Sequence, residues 1–268
     1  MLLQIAGLPR STYYYHQAHR KTHDKYAAVK QEIADIFEEN KKRVRYRRIT
    51  LELKNKGYAI NHKTVHRLMK EMGLFCAVRR KKYRYYRGEN GKIAPNLLVR
   101  NFNADKPNQK WATDITEFSL FGEKLYLSPI LDLYSRDIIS YTVGNHPCFS
   151  LVAEMLEQAF KKIPTDSNLI LHSDQGWHYQ MQAYQSMLKA KGIRQSMSMK
   201  ANCLDNAVIE SFFGVLKSEL LYLQEFHSMH QFKQALIEYL DYYNNRRVKE
   251  SLHGLTPASH RKLSLSSA

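Results

Sequence analysis

Three carboxylates in this 268-residue chain have a spacing that permits a metal site. Asp114 stands in Trp-Ala-Thr-Asp-Ile-Thr, Asp174 follows sixty positions later in His172-Ser-Asp-Gln-Gly176, and thirty-five residues then separate Asp174 from Glu210. The first two lie in or just after apolar, strand-like runs. Glu210 lies in the helical Asp205-Asn-Ala-Val-Ile-Glu-Ser-Phe-Phe213, with Asn206 four residues earlier and Lys217 seven later on the same face. Oxygen-only ligands with no Cys or His cluster nearby point to Mg²⁺ or Mn²⁺ rather than zinc. Two such ions about 3.5–4 Å apart would activate an attacking oxygen and stabilise the leaving one, which is phosphodiester substitution. Lys217 could then hold a phosphate.

Plainer readings exist for each acid. A lone Asp after a strand is ordinarily a turn or cap residue, and that applies to Asp174. Glu210 is not a capping-box glutamate, because it falls four rather than three residues after Asn206. Asp132, on the second strand, is a competing carboxylate that would be either a ligand or a structural residue.

The elements that must position these acids follow from the apolar pattern. Trp111–Leu120, Leu125–Leu133 and Asp137–Val143 read as three strands separated by Phe-Gly-Glu-Lys and Tyr-Ser-Arg turns. A helix over 150–162, a strand at Asn168–Ser173, a helix over 179–190 and a strand at Ile193–Met197 come next, then helices over 207–222 and 229–244. Three antiparallel strands followed by alternating helices and strands predict an α/β fold, a mixed sheet covered by helices. The order β-β-β-α-β-α-β-α is that of a ribonuclease-H-like domain.

Charge separates the chain into two parts. The formal net charge is +16, yet residues 1–110 hold 26 Lys and Arg against 9 Asp and Glu, and the rest is nearly neutral at 15 against 16. That asymmetry predicts a polyanion partner at the leading end, beyond what solubility requires. Tyr26 to Phe37 places Val29, Ile33, Ile36 and Phe37 at helical spacing. A helix over 49–56 then stops at Gly57, and Asn61 caps another with Val65, Leu68, Met69 and Met72 as its stripe. Two short helices around a Gly-containing turn predict a helix-turn-helix that offers Lys63 and Arg67 outward, although any small helical hairpin gives a similar pattern. Residues 77–109 read as a basic linker. There Arg79, Arg80, Lys81 and Lys82 lead a run that interleaves cations with tyrosines, suited to phosphates and stacked bases or simply to a solvated tether.

No 18-residue apolar run exists, so a membrane span is not expected. The start has no basic region followed by a long apolar stretch, so no signal peptide is expected. Cys76, Cys148 and Cys203 form neither a zinc spacing nor a disulfide framework, and a reducing, cytoplasmic setting is the simplest inference.

With these motifs assembled, the chain resembles the retroviral-integrase-like insertion-sequence transposases of bacteria, specifically the product of their second reading frame. Trp111-Ala-Thr-Asp114-Ile-Thr116, His172-Ser-Asp174-Gln-Gly176 and Asn202-Cys-Leu-Asp-Asn-Ala-Val-Ile-Glu210-Ser-Phe-Phe213 match the three acidic motifs, and Lys217 matches the basic residue seven positions after the glutamate. The resemblance covers nearly the whole chain. It implies a DDE recombinase in which Asp114, Asp174 and Glu210 bind Mg²⁺, transposon ends are cut, and the 3′ hydroxyl is joined to new DNA.

The same resemblance implies domains at 1–76 (helical, DNA-binding), 77–109 (linker), 110–225 (catalytic core) and 226–268 (C-terminal helical extension). Tyr243-Asn-Asn-Arg-Arg247 with Leu252 and Pro257 is similar to the C-terminal signature, where Arg247 would meet phosphate or satisfy helix-end carbonyls. Both ends must be handled together, which implies a homodimer or larger synaptic assembly on DNA. Two rivals stand beside it: a nuclease that uses the same acids to cut without joining, and a non-enzymatic regulator that uses only the helix-turn-helix to bind DNA.

Arg45 stands where a glycine is usual, Lys249 where His is frequent, and Ala201 where a glycine often precedes Asn202. The alanine is expected to cost backbone freedom near Glu210 and slow closure of the site, as in a decayed copy. Met1 falls just before a motif these proteins reach only after more residues. The resemblance therefore implies an upstream-frame partner carrying a helix-turn-helix and a leucine zipper, separate or fused by frameshifting, and ends would be recognised specifically only with it.

Overall fold

The computed structural model describes residues 9–19, 24–77, 94–163, 168–199 and 203–266. Arg79, Arg80, Lys81, Lys82 and Ala201 lie outside the described residues. The chain divides into two compact units, Met1–Cys76 and Ala77–Ala268.

The first unit is helical. It contains α1 (Arg10–His19), which the apolar pattern did not single out, then α2 (Ala27–Glu39), α3 (Tyr46–Asn55) and α4 (His62–Glu71). Ile33, Ile36, Phe37, Val44, Ile49, Leu53, Val65, Leu68 and Met69 form its core. α3 begins three residues earlier than the 49–56 run suggests, because the Tyr46 ring packs on His66 with ring centres 4.7 Å apart and extends the buried face. Gly57 turns the chain at φ +90°, a conformation L side chains rarely adopt, and the Asn61 side chain caps α4 by accepting from the Lys63 N–H at 2.8 Å. α3 and α4 are thus a helix-turn-helix pair, with Lys63, His66, Arg67 and Lys70 exposed on α4.

The second unit is built on six strands: β1 (Lys110–Thr113), β2 (Thr116–Leu120), β3 (Glu123–Asp132), β4 (Ile138–Gly144), β5 (Ile170–Ser173) and β6 (Arg194–Met197). The single run expected over 111–120 is two strands. Both keep one antiparallel register on β3, with Thr113 opposite Ile130 and Thr116 opposite Leu127, so β1 and β2 are one line of chain interrupted at Asp114–Ile115. Phe121 and Gly122, both at positive φ, close the β2–β3 hairpin in two residues, as the twist of paired strands favours. β4 pairs antiparallel with β3, whereas β5 pairs parallel with β1 and β6 parallel with β5. Across the sheet the order is therefore β4-β3-β1-β5-β6, with β2 continuing β1.

Alternation along the strands assigns the two faces. Trp111 and Ile130 face a core shared with α5 (Phe149–Phe160) and α7 (Gln182–Ala190), through Val152, Met155, Leu156 and Leu188. Their neighbours Ala112 and Leu131 face the opposite core, filled by α8 (Ala207–Leu216) and α9 (Met229–Asn245) through Phe212, Phe213, Phe232 and Tyr239. A short α6 (Trp177–Gln180) precedes α7, and α10 (Pro257–Ser266) ends the unit. This is the ribonuclease-H-like α/β architecture. The helix expected to run to 222 is α-helical only to Leu216. From Lys217 to Leu221 it widens to π-type turns, in a stretch whose Glu219 is buried.

Candidate active site

Asp114 and Asp174 each stand one residue beyond the end of a strand, at the carboxyl edge of neighbouring parallel strands. That edge is where open sheets present ligand sites, because the chain leaves the ladder there and frees side chains. The Oδ1 of Asp114 accepts from the N–H of Ile115 at 2.7 Å, and its Oδ2 accepts from Asn206 Nδ2 at 3.3 Å. Asp174 Oδ1 accepts from the N–H of Gly176 at 2.8 Å. Gln175 ties the same loop to the chain beyond β6, donating to the Ser198 carbonyl at 2.8 Å. Glu210 sits half-buried in the first turn of α8, where the positive end of the helix favours a carboxylate.

The acids share one electrostatic field. Burial chiefly, then the charge of Asp174 and more weakly that of Glu210, push the Asp114 carboxyl well above the ordinary carboxylate range, while the Ile115 N–H and Lys217 pull it back. Burial also raises Asp174, against the Gly176 N–H and His178. Glu210 is raised by burial and then by Asp174. Like charges forced together in a low-dielectric edge raise one another's proton affinity, and cations relieve that cost. The donor set is carboxylate oxygen throughout and fits a hard divalent ion. Among the described residues, no three His, Cys, Asp or Glu side chains are gathered tightly enough to hold a metal ion already. The acids share a field without forming a closed cage.

Lys217 stands at the start of the π-type turns with its ammonium 5.6 Å from the centre of the Phe118 ring. Asn206 is buried and spends its amide on Asp114 instead of capping α8. Lys63 is exposed at the start of α4, and Arg67 is exposed but paired with Glu71 on the next turn.

Arg247 departs from the expectation of a phosphate or carbonyl contact. It is buried, with Nε 2.9 Å and Nη2 2.7 Å from the two oxygens of Glu219, a fork-on-fork pair that the Tyr239 hydroxyl joins by donating to Glu219 at 2.9 Å. Its role here is internal. Asp132 is likewise structural, because its oxygens accept from the N–H groups of Asn108, Tyr134 and Ser135 and from Arg261. Arg45 has φ −106° and ψ 166°, extended backbone that needs no glycine. Lys249 donates to the Tyr243 hydroxyl at 2.6 Å.

Gly176 has a role that its place in the motif does not state. A Cβ there would lie 3.0 Å from Asp174 Oδ1 and 3.3 Å from the Tyr179 ring, so any side chain would press on the carboxylate and the ring. Its place two residues after the acid is the signal that could have found it.

A mixed sheet of this order, with acids from two strand ends and a helix start, defines a polynucleotidyl transferase core of the integrase type. Family models match most of the chain: an integrase core domain matches residues 104–203, an HTH-like domain residues 24–83, and a second integrase core domain model residues 210–265. The chain is 53% identical over 260 residues to the putative transposase InsK for insertion sequence element IS150 of Escherichia coli K12, covering 97% of this chain and 92% of that protein. It is 48% identical over 206 residues to an uncharacterized transposase-like protein of Haemophilus influenzae, covering 77% of this chain and 95% of that one. Among solved structures, the HTLV-2 integrase catalytic core in complex with magnesium aligns at TM-score 0.47 and 18% identity, covering 59% of this chain and 99% of that one. The chain belongs to the family of insertion-sequence transposases. Its core is accordingly of a metal-dependent, DNA-acting kind. No helix among the described residues is long and apolar enough to cross a membrane.

Proposed function

We propose that Asp114, Asp174 and Glu210 are the catalytic, metal-binding residues of this transposase. They would hold two Mg²⁺ (or Mn²⁺) ions for cleavage of element ends and for strand transfer by the 3′ hydroxyl. One observation supports the reading: Asp114 and Asp174 stand just past the carboxyl ends of the paired strands β1 and β5, and Glu210 of α8 is near enough that its charge and that of Asp174 both raise Asp114. Evolution of a buried like-charge cluster makes physical sense where cations share it. Bound there, the ions supply polarisation of the scissile phosphate and stabilisation of charge on the attacking and leaving oxygens.

The chain's own groups do the rest. The Ile115 and Gly176 N–H groups fix the Asp114 and Asp174 carboxylates. Lys217 orients a phosphate beside them, and Asn206 faces the DNA end. Water is the nucleophile in end cleavage and a DNA 3′ hydroxyl in joining.

Residues 1–76 serve as a DNA-binding domain and 77–109 as a basic arm. Lys63 and Arg67 of α4, with Arg79, Arg80, Lys81 and Lys82 of the arm, would neutralise phosphates. Residues 110–225 are the catalytic core and 226–268 a helical extension. The working form is a homodimer or larger synaptic complex on DNA in the bacterial cytoplasm, with an upstream-frame helix-turn-helix and leucine-zipper protein, separate or fused, supplying end recognition.

The test incubates the full chain and Mg²⁺ with labelled duplexes taken from the DNA that flanks the coding sequence. Joined products are expected. Nicking alone would favour a nuclease, and binding without chemistry a regulator. If Glu210→Gln leaves cleavage intact, the triad assignment is wrong.

A further inference from the structure

The structure assigns a second task to Asn206: its side-chain oxygen accepts the hydrogen bond of the attacking hydroxyl, that of water in cleavage and that of the DNA 3′ end in joining. This deepens the proposed function and rests on it. Asn206 is only 4% exposed, yet it sits where α8 begins, between the strand break at Asp114 and the helix of Glu210. An asparagine at such a position ordinarily caps the helix by accepting from a backbone N–H, and this one makes no such bond. Its amide is turned toward Asp114, where Nδ2 donates to Oδ2 at 3.3 Å. With Asp114 ionised, as a metal ligand must be, that contact sets which end of the amide is nitrogen. The opposite end, Oδ1, is a buried acceptor with no donor among the described residues.

Such an acceptor is costly unless something donates to it, because the group has left water without a replacement. A hydroxyl held between this oxygen and the acids has its proton directed to the amide and its lone pair directed away from it. That is how a neutral amide orients a nucleophile in phosphoryl chemistry. The amide is not a base. In either reaction the hydroxyl oxygen forms the new bond to phosphorus and the bond from phosphorus to the departing 3′ oxygen breaks. The attacking group's proton passes to water, and the departing oxygen takes one from water. A single acceptor serves both steps because both nucleophiles are O–H groups.

The experiment compares full-length wild type, Asn206→Ala and Asn206→Asp on the same flanking duplexes with Mn²⁺, with and without glycerol as a competing hydroxyl. Mn²⁺ affinity is read by electron paramagnetic resonance and DNA affinity by gel shift. Asn206→Ala is expected to bind Mn²⁺ as wild type does, to cut about 100-fold more slowly even at DNA concentrations that saturate binding in the gel shift, and to change the ratio of glycerol-capped to hydrolysed ends. Asn206→Asp keeps an acceptor oxygen but sets a second carboxylate against Asp114, so at Mn²⁺ concentrations that saturate both variants it should cut faster than Asn206→Ala. The inference is overturned if Asn206→Ala cuts at the wild-type rate with the wild-type product ratio. It is overturned equally if the loss follows weakened Mn²⁺ binding, which would make the residue a prop for Asp114. A wild-type protein that performs no chemistry would instead sink the transferase reading, and this inference with it.

Discussion

Asp114 and Asp174 occupy equivalent places on neighbouring parallel strands. Lys110 lies opposite Ile170, Trp111 opposite Leu171 and Ala112 opposite His172, a constant offset of sixty that carries on to the two acids just past the strand ends. The sixty positions between them in the chain are therefore the register of the β1–β5 pair. A one-residue slip would send one carboxylate to the other face of the sheet.

Because burial and the neighbouring acids raise Asp114, the charged site costs stability without metal. The folded-state pKa lies above the unfolded one, so the stabilising share is present at low pH and lost as pH rises through the folded value. Asp114→Asn is expected to raise the melting temperature of the metal-free protein at neutral pH. Mg²⁺ should raise that of wild type and leave the variant nearly unmoved. Differential scanning calorimetry with EDTA or Mg²⁺ measures both.

Gly176→Ala adds a methyl group 3.0 Å from Asp174 Oδ1 without straining the backbone, since φ there is −53°. The fold should survive while the carboxylate is pushed aside. A loss of roughly 10- to 100-fold in cleavage is expected, with an unchanged circular dichroism spectrum. Wild-type cleavage in this variant would show that the contact is relieved elsewhere.

The Glu219–Arg247 pair is buried on both sides. Arg247→Ala takes the guanidinium away from a buried carboxylate and should cost about 3–5 kcal/mol in a urea melt. Replacing both partners by apolar residues should recover most of that loss. Arg247→Lys should recover little, because an ammonium cannot make the two-pronged contact.

Burial lifts Glu52, in α3, to about 7, against the pull of Asn40 and Arg48. A group raised in the folded state favours folding below its unfolded pKa and ceases to do so as pH rises through about 7. Carboxyl NMR should place its midpoint there. Glu52→Gln should flatten the decline in stability of the leading unit on the alkaline side.

Lys63 and Lys70 are exposed on α4. If they meet phosphates, Lys63→Ala and Lys70→Ala should each lower the slope of log K against log salt by about 1. Equal slopes for wild type and variants would remove α4 from the interface.

Much of this molecule is written locally. Alternating apolar residues give the strands, the Phe121-Gly122 pair closes the β2–β3 hairpin, and Asn61 with Gly57 bounds the helices of the leading unit. These features depend on neighbours a few residues apart, so the sequence states them directly. The interruption at Asp114–Ile115 was not visible, because Ile115 and Phe118 carry the apolar pattern past it and no Gly or Pro marks it. The widening at Lys217 was hidden for a related reason, since no residue there breaks a helix and it is the buried Glu219 that meets Arg247 and Tyr239 from α9 and beyond.

By itself, the sequence determined the three acids, their spacing and the family to which they belong, because ordered motifs and residue types are properties of the chain. Only the tertiary structure decided the fates of polar side chains with more than one possible partner. Arg247 went to Glu219, Asp132 to Arg261 and three backbone N–H groups, and Asn206 to Asp114. A charge or an amide takes whichever partner burial brings within about 3 Å, and that choice depends on residues up to 129 positions away.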